Sequence, residues 1–110
     1  MIDVRIVRDS SGFIRGFSVT GHAGFAEYGS DIICAAASVT AYTAAGALED
    51  LAGIMDCHTE EDGRFICSIP LNISEKQKQT AGIILETAAI GFKQIELGYP
   101  EFLKVMEEEV

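Results

Sequence analysis

Apolar and polar residues alternate over Ile2-Asp3-Val4-Arg5-Ile6, the period of a strand buried on one face. Asp9-Ser10-Ser11-Gly12 is turn chemistry. Residues 13–20 read as a second strand, with Phe17 and Val19 on its inner face and a hairpin as the economical link. The period then lengthens. Residues 31 to about 51 read as a helix built from small residues (Ala35, Ala36, Ala37, Ala41, Ala44, Ala45 and Ala47), with Ile33, Val39 and Leu48 adding bulk. Gly46 costs that helix roughly 1 kcal/mol against Ala, which predicts close packing there, and Gly53 is the expected stop.

A second hairpin is expected from residues 55–59 and 64–69 around Glu61-Asp62-Gly63. A three-residue loop sets Thr59 opposite Phe65, Cys57 opposite Cys67 and Met55 opposite Ile69. It turns His58, Glu60, Arg64 and Ile66 to the other face. This register is preferred to a two-residue loop, which would set Phe65 opposite Glu60 and Cys67 opposite His58. Ser74 with Gln77 forms a capping box for a second helix that runs to about Leu97 and stops before Tyr99-Pro100. That helix has two apolar stripes. One is Ala81, Ile84, Leu85, Ala88, Phe92 and Ile95. The other carries Ile83, Ile90 and Leu97 at spacing seven, with Thr87 and Gln94 between. A helix apolar on two sides is buried by its own domain or shared with a partner, and the second stripe points to a homodimer. Residues 102–107 read as a last strand at a sheet edge. The order is ββαββαβ, an α+β fold with a mainly antiparallel sheet and both helices on one face.

The 110 residues are read as one domain, 1–110, with 48% hydrophobic and 23% charged residues. No apolar run is read as approaching the ~20 residues of a membrane span, and the N-terminus lacks a signal-peptide apolar region. Three cysteines without an export signal suit reduced thiols in a cytoplasm. The net charge of −9 disfavours direct binding to nucleic acid and suits either a basic protein partner or simple solubility.

The chemistry concentrates in Gly21-His22-Ala23-Gly24-Phe25-Ala26-Glu27-Tyr28-Gly29-Ser30-Asp31-Ile32-Ile33-Cys34-Ala35-Ala36-Ala37-Ser38. A histidine ends a strand, and Cys34 falls in the first turn of a helix that Ser30 or Asp31 can cap. With Asp31 as cap, Cys34 is the third helical residue. Unpaired first-turn N–H groups and the helix dipole favour a thiolate, as does an imidazolium. The same N–H groups can stabilise an oxyanion, and the sequence does not name the donors. Asp31 can cap the helix or orient His22. Ser38 can contact a substrate backbone or bond within the helix. Gly24 and Gly29 bracket a loop in which Phe25 and Tyr28 can line an aromatic pocket or anchor the loop.

Gly21-His22-Ala23 followed by Asp31-Ile32-Ile33-Cys34-Ala35-Ala36-Ala37-Ser38, with His and Cys 12 residues apart, resembles the ribosomal-processing cysteine protease family, Prp. The wider likeness covers nearly the whole chain. The resemblance implies a catalytic dyad of His22 and Cys34 and a dimer; no cofactor or metal is expected. It also implies a substrate: the large-subunit ribosomal protein numbered twenty-seven, whose N-terminal extension is removed after an aromatic residue. Two readings compete. One is a non-catalytic dimeric module that binds a ribosomal partner. The other is a zinc site from His22, Cys34, Cys57 and His58, which no Cys-x-x-Cys spacing supports.

Overall fold

The computed structural model describes residues 1–24, 26–27 and 31–110. Two strands open the chain, β1 (Ile2–Arg8) and β2 (Ile14–Gly21), followed by α1 (Ile32–Ala52). A second hairpin, β3 (His58–Glu61) and β4 (Arg64–Ser68), leads to α2 (Glu75–Gly98) and β5 (Leu103–Glu109). The strands form one sheet in the order β3-β4-β2-β1-β5. Three pairs are antiparallel, and β5 runs parallel to β1 at the edge. The sheet is therefore mixed.

Register decides which face is apolar. Phe17 lies opposite both Ile6 and Cys67, and Val19 opposite both Val4 and Phe65. Paired residues share a face, so these side chains make one apolar layer, to which β5 adds Leu103 and Val105. The two helices cover it. Phe92 of α2 reaches Phe17 with ring centroids 5.5 Å apart. Small residues let the helices approach each other: a Cβ on Gly91 would sit 3.1 Å from the Thr40 methyl. Close packing therefore falls at Gly91. Gly46 is exposed, with nothing within 4 Å of a built Cβ.

Both helix starts are capped as the sequence implies. Asp31 Oδ1 accepts from the N–H groups of Ile33 and Cys34, each at 3.0 Å. Ser74 and Gln77 exchange the two bonds of a capping box. Gln77 Nε2 also donates to the Ala52 carbonyl at 3.1 Å, tying the end of α1 to the start of α2. Gly53 closes α1 in the left-handed region, with φ +68. At the outer edge, Glu96 accepts from the Val105 N–H at 2.9 Å, which blunts an otherwise open strand edge.

The second hairpin has the register that the sequence reading ranked lower. His58 pairs with Cys67 and Glu60 with Phe65. Asp62 and Gly63 both have positive φ, +52 and +73, the requirement of a two-residue type I′ turn. The apolar residues mislead here because β3 is exposed throughout and imposes no inner face on the register. Cys57 precedes the strand. It is buried beside Cys67, and its carbonyl accepts from the Ser68 N–H at 2.8 Å. His58 turns to the helix side and stacks on Phe65, 5.2 Å away.

By length and composition α1 could cross a membrane, because its many Ala, Ser and Thr residues spread apolar character without one unbroken run. Its buried positions, Ile33, Ala37, Ala41, Ala44, Ala45, Leu48 and Ala52, belong to the same core as the sheet.

Candidate active site

A groove of about 780 Å³ opens between the N-terminal half of α1 and the end of the sheet. The last residues of β2 form one wall. Gly21 has φ +88, and a Cβ there would sit 2.5 Å from the Met1 carbonyl oxygen, so only glycine fits. The chain leaves the sheet at this point. His22 is exposed along the groove, and Ala23 turns back into the core.

The opposite wall is one face of α1: Cys34, Ser38, Ala41 and Tyr42, at helical spacing. Cys34 is half-buried and reduced. Its sulfur accepts from the Ala23 N–H at 3.4 Å. His22, Cys34, Asp31, Ser38 and Gly24 thus share one groove. The hydroxyl of Ser38 has no hydrogen-bond partner among the described residues. Phe25, Tyr28 and Gly29 lie outside the described residues, as does Ser30.

In the first turn of α1 the Asp31 carboxylate occupies the N–H groups of Ile33 and Cys34, the cap that the sequence allows. A carboxylate cap satisfies those donors more completely than water does, so the cap that builds the helix start also removes the amides of Ile33 and Cys34 as free donors.

Sequence reasoning missed the apolar part of the groove, formed by Val19, Ala41, Tyr42 and Phe65, and the carboxylate of Glu60 at its rim. Phe65 has Tyr42 edge-on at 5.2 Å and Phe17 stacked at 5.9 Å, so an aromatic series runs from the core to the groove. The signal for Tyr42 was present: it is eight residues after Cys34 and so on the same helix face. Phe65 and Glu60 needed the two-residue turn, which sets them side by side.

The other two thiols belong elsewhere. Burial pushes both Cys57 and Cys67 upward in pKa, and Cys57 beside it raises Cys67 further. They stay protonated near neutral pH and lie off the groove lining. Among the described residues no three His, Cys, Asp or Glu side chains come together as metal ligands, and the zinc reading is divided between the groove (His22, Cys34), the core (Cys57) and the exposed strand β3 (His58).

A reduced thiol set in the wall of an open groove is what a thiol-dependent hydrolase presents to a peptide, and comparison with known proteins puts the chain in that class: it is a cysteine protease. The family model for cysteine protease Prp matches residues 1–104. The chain is 32% identical over 108 residues to the ribosomal processing cysteine protease Prp of Bacillus subtilis, covering 96% of each. It is 31% identical to the Staphylococcus aureus protein of the same name, covering 96% of this chain and 97% of that one. The solved structure of the S. aureus ribosomal processing protease Prp in complex with a covalently linked product peptide superposes with a TM-score of 0.86 at 27% identity. That match covers 98% of this chain and 100% of the other. The chain belongs to the Prp family of cysteine proteases.

Proposed function

We propose that this protease removes the N-terminal extension of the large-subunit ribosomal protein numbered twenty-seven, with Cys34 as nucleophile and His22 as general base and acid. The observation that carries the reading is the convergence of His22 and Cys34, from separate elements, on one groove large enough for a peptide. The relatives are named for ribosomal processing, and the peptide in the S. aureus structure is covalently linked.

The chemistry follows from the two groups. The Cys34 thiolate attacks the scissile carbonyl carbon, and the carbon–oxygen double bond becomes an oxyanion. As the tetrahedral intermediate collapses, the carbon–nitrogen bond breaks and the His22 imidazolium gives its proton to the leaving amine. A thioester remains. His22 then takes a proton from water as the water oxygen attacks the thioester carbonyl. The sulfur leaves as thiolate, and the product carries a new carboxylate. Ser38, which lines the same groove, contacts the substrate backbone. The apolar wall of Val19, Tyr42 and Phe65 suits the aromatic residue at which the cut is expected.

The net charge of −9 favours encounter with a basic ribosomal protein in the cytoplasm. A second copy of the chain is the partner for the outer stripe of α2, where Ile83, Ile90 and Leu97 are 72%, 59% and 78% exposed. They do not pack beneath β5. The non-catalytic alternative shares this dimer but needs no thiol. Incubation with the extended ribosomal protein, followed by mass analysis, tests the whole reading. Wild type releases the extension, whereas Cys34→Ala and Cys34→Ser do not. His22→Ala is also inactive and slows alkylation of Cys34 near neutral pH. Cleavage by Cys34→Ala at more than a few per cent of the wild-type rate would overturn the dyad.

A further inference from the structure

His22 is not the sole contribution of the strand end to the thiol. Beyond Gly21 the side chains alternate sharply: His22 is exposed, and Ala23 is buried at 4% exposure. Burying the Ala23 methyl fixes the peptide plane between these residues. The Ala23 N–H then meets the Cys34 sulfur at 3.4 Å. A hydrogen bond to an ionised acceptor is about twice as strong as one between neutral groups, so this contact favours the charged sulfur.

The N–H groups of Ile33 and Cys34 are held by Asp31 and are not free to meet the sulfur. Among the described residues, the titratable groups that line the groove with Cys34 are His22, Asp31, Tyr42 and Glu60. Of these only His22 can become positive. The Ala23 amide is a fixed dipole that needs no proton of its own.

We propose that the Ala23 N–H is the hydrogen-bond donor that holds and orients the Cys34 sulfur as a thiolate, so that the turn after β2 supplies an amide as well as an imidazole. The inference rests on Cys34 being the nucleophile. It assigns a role to the residue beside His22 that sequence spacing alone did not reveal. Once the sulfur becomes a thioester its charge is gone and the bond weakens, so the donor acts on the free enzyme and on acylation.

The test replaces Ala23 by lactic acid, its α-hydroxy analogue, which exchanges the N–H for an ester oxygen. Iodoacetamide labelling of Cys34, read by the mass of its peptide, is followed against pH. The midpoint of labelling is expected to rise by about one unit, equivalent to roughly tenfold slower labelling below it. Ala23→Ser keeps the N–H and is expected to keep the wild-type midpoint. An ester variant with the wild-type midpoint would overturn the proposal. If the ester variant does not fold, nitrogen-15 NMR of the wild type decides. The Ala23 amide resonance should move with the same midpoint as Cys34 labelling, and that movement should vanish in Cys34→Ala. A resonance that stays flat, or that still moves in Cys34→Ala, also overturns it. Neither readout uses a peptide substrate, so failure of the dyad shows separately, as cleavage by Cys34→Ala.

Discussion

Adding one methyl group at Gly21 should unravel the site, whereas the same methyl at Gly46 should strengthen the protein. Gly21 has φ +88, where a side chain costs roughly 1–2 kcal/mol. The new Cβ would also sit 2.5 Å from the Met1 carbonyl oxygen. That is well inside the ~3.3 Å of a close carbon–oxygen contact, so the Met1–Ile2 backbone must shift. Ile2 pairs with Gly21 and is buried. The shift therefore acts as an overpacked core does, at about 1–3 kcal/mol. Loss of unfolded-state freedom offsets about 0.4–1 kcal/mol. The net expectation for Gly21→Ala is a loss of about 1–4.5 kcal/mol, or roughly 5–20 °C in melting temperature for a chain of this size. Gly46 is helical, exposed and open. Gly46→Ala should add up to about 1 kcal/mol. Thermal denaturation followed by circular dichroism measures both, and peptide cleavage at 20 °C shows whether the surviving fold keeps His22 in place. A Gly21→Ala protein that melts within about 3 °C of wild type and cleaves normally would refute the claim that the glycine sets the direction of the chain.

Cys57→Ser and Cys67→Ser should keep turnover in the folded protein while losing about 1–3 kcal/mol, because each buries a hydroxyl in the core; loss of turnover with an unchanged circular dichroism spectrum would contradict their placement. Arg8 bonds both Glu86 and Glu107, and its hydrogen bond holds the Glu86 carboxyl below the ordinary 4.5. A depressed carboxyl stabilises above its ordinary value, and that contribution is lost as pH falls through the folded value. Wild type should therefore exceed Glu86→Gln in urea stability at about pH 7 and lose that advantage at about pH 3, by at most ~1 kcal/mol because these groups are half-exposed. Ile90→Glu should shift the mass seen by light scattering toward 11.8 kDa without unfolding, since burying each outer-stripe residue is worth roughly 1.5–3 kcal/mol; a wild-type monomer at micromolar concentration would remove the dimer.

What was legible in the chain was whatever local chemistry decides. Caps at Asp31 and Ser74, the stop at Gly53 and the alternation of β1 each depend on residues within a few positions. The inner and outer stripes of α2 were legible too, since a helical period sorts them whatever lies opposite. The β3–β4 register was misread because hydrophobic alternation was weighed above turn chemistry. On a strand exposed on every residue, alternation carries no information, and the Asp62-Gly63 pair does. The parallel pairing of β5 with β1 joins the two ends of the chain, and no local signal encodes such a contact. The Ala23 N–H beside the sulfur escaped for another reason: a main-chain donor has no letter of its own, so its position waits on geometry.

Asp31 is where helix building and thiol chemistry pull against each other. Its Oδ1 takes two first-turn N–H groups at 3.0 Å, a cap worth about 1 kcal/mol. Its carboxylate lines the same groove as the Cys34 sulfur, and like charges repel. Asn caps about as well as Asp but carries no charge, so Asp31→Asn separates the two effects. If Asp31 serves as the cap, the variant should melt within a few degrees of wild type and keep cleavage. Its Cys34 should also be alkylated at least as fast at mildly acid pH. If the carboxylate instead steadies a protonated His22, cleavage should fall by orders of magnitude with the fold intact, as happens when a carboxylate behind a catalytic histidine is made neutral. The bonding seen at the helix start favours the first outcome. A drop of more than about tenfold in kcat/KM, roughly 1.4 kcal/mol of transition-state stabilisation, in a variant with wild-type stability would show that the charge, and not the cap, is why an aspartate stands there.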